Sequence, residues 1–391
     1  MLSFLLFHFD LKSYFYNWIL ICVQNKNRTY NTKAYFFCKS EIEMPAPHNS
    51  ESFPIQESRA LVAHLMGRKA HIYWLDLLFN LILGWGGFYL VVVSATFSAL
   101  NITSFVISSF ALYRAAIFIH EIVHFKKGSL KSFVAFWNLT AGFPLLIPSF
   151  TYYGVHNDHH KRDTYGTKKD GEYLPFGAEQ GWKIVAYVFL SIILPLLFLI
   201  RFLILTPLSW LIPSIGRYVW ECASSLTIDV TYRRPPPTKL DGKFWRLQEV
   251  CTTIYAWVGV LLVYNGSLPI KLAIVWYLTT LFIFTINSLR TLGAHAYRNP
   301  GNVKMSVADQ FLDSVDVTGG ILAPFWAPVG LRYHATHHLF PQMPYHNLGK
   351  AHALLVKNLS DNSLYLSATR NNLWHALSTL WQDSLLSQKK P

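Results

Sequence analysis

His120-x-x-x-His124, His156-x-x-His159-His160 and His334-x-x-His337-His338 place eight imidazoles in three short clusters of a 391-residue chain. Residues three and four apart share a helix face, so each cluster can aim two or three rings at one point. Zinc ordinarily takes four ligands, so eight convergent imidazoles read as a two-metal centre. Each ring that binds through one nitrogen leaves the other for a hydrogen-bond acceptor. Glu121 and Asp158, beside the first two clusters, are candidates for that role, and a solvated polar face accounts for them equally well. His120-Glu121-Ile122-Val123-His124 also matches the H-E-x-x-H helix of zinc proteases, where Glu is the general base. That reading needs one further ligand and leaves both H-x-x-H-H clusters unexplained. His8, His48, His64, His71 and His375 are isolated and read as structural or exposed, and His346 and His352 stay outside the metal set.

The clusters must be held on one side of whatever positions them, and the surrounding sequence says what that is. Residues 73–97 are long enough to cross a bilayer, which takes about 20 residues. Asn101 interrupts the pattern, and 102–119 form a second span that returns His120 to the starting side. Lys126, Lys127 and Lys131 follow, which makes that side cytoplasmic by the positive-inside tendency. Residues 133–150 are apolar but broken by Pro144 and Pro148. A crossing there would separate the first two clusters, so the stretch is read as interfacial or re-entrant. Residues 184–213, with Pro195, Arg201 and Pro207, read as a kinked dip, followed by a basic connector rich in proline. Residues 254–264 and 270–289 then form a second hairpin around Asn265-Gly266-Ser267-Leu268-Pro269. An alternative pairs 184–205 with 271–289 and leaves the connector outside. The predicted fold class is therefore an all-α integral membrane protein: two transmembrane helical hairpins, about four spans, interfacial segments, and a cytoplasmic helical cap holding the histidines.

Composition agrees. The chain is 52% hydrophobic and 14% charged, against roughly 25% charged in soluble domains. Its net charge of +13 fits cytoplasmic membrane loops better than a nucleic-acid partner, because apolar spans interrupt the basic residues. Cys22, Cys38, Cys222 and Cys251 have no C-x-x-C spacing, which argues against a disulfide framework or a thiolate metal site. Residues 1–59 read as a poorly ordered N-terminal extension. Within it, 1–43 read as an upstream translation artefact before a start at Met44 and a polar leader.

With these motifs in place, the chain resembles the membrane fatty-acid desaturases, and bacterial members in particular. The likeness extends beyond the three histidine boxes to Arg290-Thr291-Leu292-Gly293-Ala294-His295-Ala296-Tyr297, to the run from Trp326 through Pro341, and to Pro344-Tyr345-His346-Asn347-Leu348. It covers roughly residues 60–357, leaving 358–391 as a C-terminal cytoplasmic tail. The resemblance implies a non-haem di-iron centre with His120, His124, His156, His159, His160, His334, His337 and His338 as ligands and His295 as a ninth. It assigns no catalytic residue beyond the metal centre. Animal acyl-CoA members carry an Asn four residues before that extra histidine. Here the position is Thr291, with Asn287 a helical turn further back, so no tenth ligand is assigned.

The resemblance further implies an O2-dependent oxidoreductase that introduces a double bond into the acyl chain of a lipid or acyl thioester. Removing hydrogen from an unactivated alkyl chain is beyond amino-acid acids and bases and suits an oxygen-activating metal. The nearest rival is a di-iron membrane hydroxylase of alkyl or carotenoid substrates, and a rival of another class is the zinc metalloprotease. The chain has no haem, flavin, nicotinamide or iron–sulfur fingerprint. A separate electron donor, a ferredoxin or a b-type cytochrome, is therefore expected. The other partners expected are membrane lipids, and the location is multi-pass with the active site on the cytoplasmic side, at the inner membrane if the source is bacterial.

Overall fold

A computed structural model describes residues 53–301 and 303–388. The expectation about residues 1–43 lies outside that range, as does most of the expected N-terminal extension. Its last residues are ordered: the helix Ile55–Val62 packs into a cluster with Leu339, Leu348 and Leu355, with Ser58 and Val62 buried.

The first hairpin consists of α1 (Ala70–Val93) and α2 (Ala99–Val123). Ser98 caps α2 by accepting from the backbone N of Asn101. Asn101, which the hydropathy pattern treats as an interruption, lies in the first turn of α2. Its Nδ2 donates to Val91 O at 2.8 Å and Ser94 Oγ at 3.1 Å. One amide thus satisfies a carbonyl left open at the end of α1 and closes the turn between the helices. The two backbones approach closely at Gly84, where a Cβ would lie 2.7 Å from the Leu112 side chain and where Ser108 Oγ donates to the Gly84 carbonyl. Small residues at such crossings let membrane helices pack by close contact. The outward face carries Leu75, Phe79, Ile82 and Tyr89, all exposed, as suits helices surrounded by lipid.

Residues 131–150 do not form a span. The helix Lys131–Trp137 runs into a π-turn at Asn138–Gly142, and Trp137 donates Nε1 to Ala115 O of α2 at 2.7 Å. The chain then turns into α3 (Val155–His159). Leu194–Leu211 follows as an apolar helical run broken by a π-turn at Arg201–Leu205, with Arg201 buried and paired to Glu249 at 2.6 Å.

The second hairpin is α4 (Lys239–Tyr264) and α5 (Ile270–Leu292). Its first arm is longer than hydropathy suggests. Thr238 caps it by accepting from Asp241 N, so the helix starts in polar sequence well before the apolar stretch. Past α5 come β1 (Asp316–Val317), α6 (His334–Leu339), α7 (Tyr345–Asn358) and β2 (Thr369–Arg370), which pairs in parallel with β1. The region beyond 357, expected as a tail, is folded. Tyr365 hydroxyl meets Thr336 Oγ1 at 2.6 Å, and the helix Leu373–Ser387 buries Leu380 in the cluster around Tyr297.

Candidate metal centre

The last turn of α2 presents His120, and its C-cap is His124. Gly154 opens α3 at φ +87°, a backbone region that favours glycine. Asn157 Oδ1 accepts from Gly154 N, which fixes the first turn so that His156 and His159 lie on α3 and His160 caps it. His334, His337 and His338 lie on α6, and His295 stands just past the end of α5. All nine imidazoles come together in two groups: His120, His124, His156, His160 and His337 in one, and His159, His295, His334 and His338 in the other.

Each H-x-x-H-H cluster therefore divides between two points instead of aiming at one. On α3 the i,i+4 pair His156 and His160 joins the first group and His159 the second. On α6 the i,i+4 pair His334 and His338 joins the second group and His337 the first. Positions i and i+4 differ by about 40° around a helix, whereas i+3 falls about 60° to the other side. The spacing thus builds two adjoining sites from the same two helices, with His160 and His338 stacked at 4.3 Å between ring centroids.

The Nε2 atoms face inward. His156 Nε2 lies 2.9 Å from that of His124 and 3.1 Å from that of His160, which is 3.1 Å from that of His337. In the second group His295 Nε2 lies 2.9 Å from His334 and 3.3 Å from His159, and His334 lies 3.2 Å from His338. Outward, His156 Nδ1 meets Glu172 at 2.9 Å and His159 Nδ1 meets Asp170 at 2.8 Å. A neutral imidazole that donates from Nδ1 to a carboxylate carries a lone pair on Nε2. Lone pairs facing each other at such distances repel unless a cation lies between them, so the donor set fits two metal ions. Both His120 nitrogens, and Nδ1 of His160, His334, His337 and His338, have no protein partner.

Burial favours the neutral, metal-competent ring. It pushes His156, His160, His295, His334, His337 and His338 well below the ordinary histidine value and His124 down to about 3. His159 differs: burial lowers it, but the Asp170 carboxylate, with those of Glu172 and Asp313, overcomes that and the net direction is upward. Burial also raises Glu172, to about 7.

The carboxylates that support the rings are not the sequence neighbours Glu121 and Asp158. Glu121 Oε2 accepts from the Tyr73 hydroxyl and, at 3.3 Å, from Tyr345 N, and Asp158 pairs with Lys161 at 2.6 Å. A helix residue adjacent to a ligand points about 100° away from it. The supporting groups instead come from the loop after α3. Asp170 also accepts from the backbone N of Gly166 and Glu172, and Glu172 Oε2 accepts from Tyr152. Tyr165 hydroxyl lies 3.0 Å from His295 Nδ1 and 3.0 Å from Asp313, to which Tyr173 also donates. The run Asp170-Gly171-Glu172 was the available signal, since two acids flanking a glycine soon after a histidine cluster are poised to fold back. Asn287 accepts from Arg290, and His352 meets Asp316 and Tyr365, so neither joins the groups. His346 Nε2 accepts from Lys69 N.

Convergence also limits topology. His160 and His295 lie on the same side, so an even number of crossings separates them. Three helices between them are long and apolar enough to cross. An even count leaves at least one of the three not crossing, and of them the run Leu194–Leu211 is the one that is broken, with its buried Arg201 and two prolines.

A family model for "Fatty acid desaturase" matches residues 97–370. Among curated proteins, the ceramide hydroxylase of Caulobacter vibrioides (strain NA1000 / CB15N) is 40% identical over 332 residues, covering 84% of this chain and 93% of that protein. No solved structure matches the chain.

Proposed function

The chain belongs to the fatty acid desaturase family of membrane oxidoreductases, and from that premise we propose that it hydroxylates the alkyl chain of a ceramide-type lipid with O2. The observation that carries this reading is the 40% identity to a ceramide hydroxylase along nearly the whole of that protein. The resemblance read from sequence favoured double-bond formation, and that remains the second reading because the family model takes its name from it. Both need the same two histidine groups and differ in the fate of the carbon from which hydrogen is first removed.

The nine histidines would hold two non-haem irons, the metal of this enzyme class. Bound there, iron supplies the means to use O2 and two electrons against an unactivated C–H bond. Hydroxylation consumes an alkane C–H, O2, two electrons and two protons and gives C–OH and water. Desaturation takes a second hydrogen from the neighbouring carbon and gives C=C and two waters. The residues of this chain bind, orient and exclude water. Asp170 and Glu172 fix the rings of His159 and His156 and Tyr165 fixes His295, while burial of eight of the nine rings, with His160 half-buried, limits competition from solvent. Glu121, held by Tyr73 and Tyr345, is not placed to activate water, which speaks against the protease reading.

We assign electron delivery to a separate carrier, a ferredoxin or b-type cytochrome, and the histidine side of the membrane to the cytoplasm, on the strength of Lys126, Lys127, Lys161 and Arg162. The reaction is tested by supplying membranes that contain the protein with ceramide and isotopically labelled O2 and weighing the product. Gain of one labelled oxygen supports hydroxylation, and loss of two hydrogens without oxygen supports the second reading. Turnover that continues without O2 would exclude both.

A further inference from the structure

Residues 317–331, Val-Thr-Gly-Gly-Ile-Leu-Ala-Pro-Phe-Trp-Ala-Pro-Val-Gly-Leu, contain no charged side chain and lead directly toward His334. Both ends of this stretch lie on the histidine side. At one end Val317 pairs with Arg370 and Thr318 N donates to Arg370 O. At the other, α6 is tied back to β1 by Thr336 N donating to Asp316 at 3.0 Å. Between these anchors the chain descends along the two hairpins. Phe325 packs against Phe110 at 5.8 Å between ring centroids, and Phe110 against Phe282 at 4.9 Å. Phe110 lies at the middle of α2 and Phe282 at the middle of α5. Ten residues separate Phe110 from His120, ~15 Å along the axis, about half the thickness of a hydrocarbon core.

The side chains presented there are apolar and uncovered: Ile321 is 93% exposed, Leu322 68% and Phe325 53%. The backbone of the turn from Ala323 to Ala327 is suited to a medium without water. Ala323 N donates to Gly320 O, Phe325 N to Leu322 O and Ala327 N to Ala323 O, while Pro324 and Pro328 have no N–H to satisfy. The Trp326 carbonyl accepts from the Tyr113 hydroxyl of α2 at 2.8 Å. That turn meets the requirement that backbone at membrane depth be satisfied internally. Gly319 allows the descent, because a Cβ there would lie 2.2 Å from Asn371 O, and Gly320 makes the turn at φ +91°.

We propose that residues 318–331 form a re-entrant loop that dips into the bilayer beside α2 and α5, its tip at Ile321, Leu322 and Phe325 in contact with lipid acyl chains. Phe325 at the tip packs on Phe110, which packs on Phe282, and the spans that carry these two rings expose apolar side chains as the tip does, so the occupant of this face is the bilayer. The dip puts hydrocarbon against the segment that carries the third histidine cluster, and it is independent of which reaction the centre performs.

The test uses the full chain in lipid nanodiscs, with Cys22, Cys38, Cys222 and Cys251 replaced by Ser and a nitroxide attached at Ile321→Cys or Leu322→Cys. Phe79→Cys, on the exposed face of α1, and Lys169→Cys, in a basic loop, are the references. The proposal expects labels at 321 and 322 to collide more with dissolved oxygen than with a water-soluble nickel chelate, as at 79, with the order reversed at 169. Labels at 321 and 322 that behave like 169 overturn it. A second measurement needs no substitution: the unaltered protein is reconstituted with a phosphatidylcholine carrying a mid-chain diazirine and irradiated. Lipid adducts within 319–326 support the dip, and adducts confined to the spans overturn it.

Discussion

The two histidine groups adjoin and share helices, yet they are held by different means. In the second group two of four rings have their outer nitrogen fixed by protein: His159 by Asp170, and His295 by Tyr165 and, at 3.2 Å, Ser314. In the first, His156 alone of the five is tied to a carboxylate, and His120 has no protein partner on either nitrogen. Half of the second group is thus orientated before any ion arrives. The first has one more ring but relies more on the ion itself to fix them. Outer-shell hydrogen bonds of this sort set ring orientation and basicity, so the difference is one of affinity and not of chemistry.

The largest effect should come from removing one ring on each side. His156→Ala and His338→Ala are both expected to abolish lipid oxidation while the protein still inserts and purifies. Product from either variant would mean that one group suffices, and the pairing would fail as an explanation.

Acid should distinguish the groups next. In the metal-free protein a histidine whose folded pKa is depressed stabilises the fold above its unfolded value, and that stability is lost as pH falls below about 6.5. In the first group His124, His156, His160 and His337 all carry this sign. In the second, His295, His334 and His338 do, but His159 is raised and contributes stability that persists into acid and is lost as pH rises. Each depressed ring contributes a slope of about 1.4 kcal/mol per pH unit. The metal-free protein should therefore melt at lower temperature at about pH 5.5 than at about pH 7.5. His159→Gln should deepen that loss and His124→Gln should lessen it. Equal responses would remove the electrostatic contrast.

Asp170→Asn is expected to lower metal affinity or activity by about 10–100-fold, with metal content after dialysis as the readout. Glu172→Gln, acting on a single ring of the five-membered group, should cost less. The reverse order would show that the first group is the better supported of the two. The smallest change is Tyr165→Phe, which removes one bond to His295 and one to Asp313 and should cost on the order of 1–3 kcal/mol of stability, read as a lower melting temperature. No change would mean that Ser314 holds His295 unaided.

How much of this was legible in sequence differs between the rings and what surrounds them. The eight clustered histidines could be found from spacing, because i, i+3 and i+4 is a local geometry that any helix imposes. His295 stands alone in sequence and came only from the family likeness. The division of each H-x-x-H-H cluster between two groups was hidden because it depends on where α2 and α5 deliver the other rings. The supporting acids were misplaced onto Glu121 and Asp158, since adjacency along the chain says little about a loop that folds back to bring in Asp170 and Glu172. The two hairpins were legible from hydropathy and parity. The length of α4 was not, because its first turns are polar and begin at the Thr238 cap.

Metal content of the purified protein tests the central claim most directly. Two irons per wild-type chain are predicted, with His337→Ala and His338→Ala each losing metal. One zinc per chain and no iron, unchanged in His338→Ala, would contradict a centre built from two histidine groups.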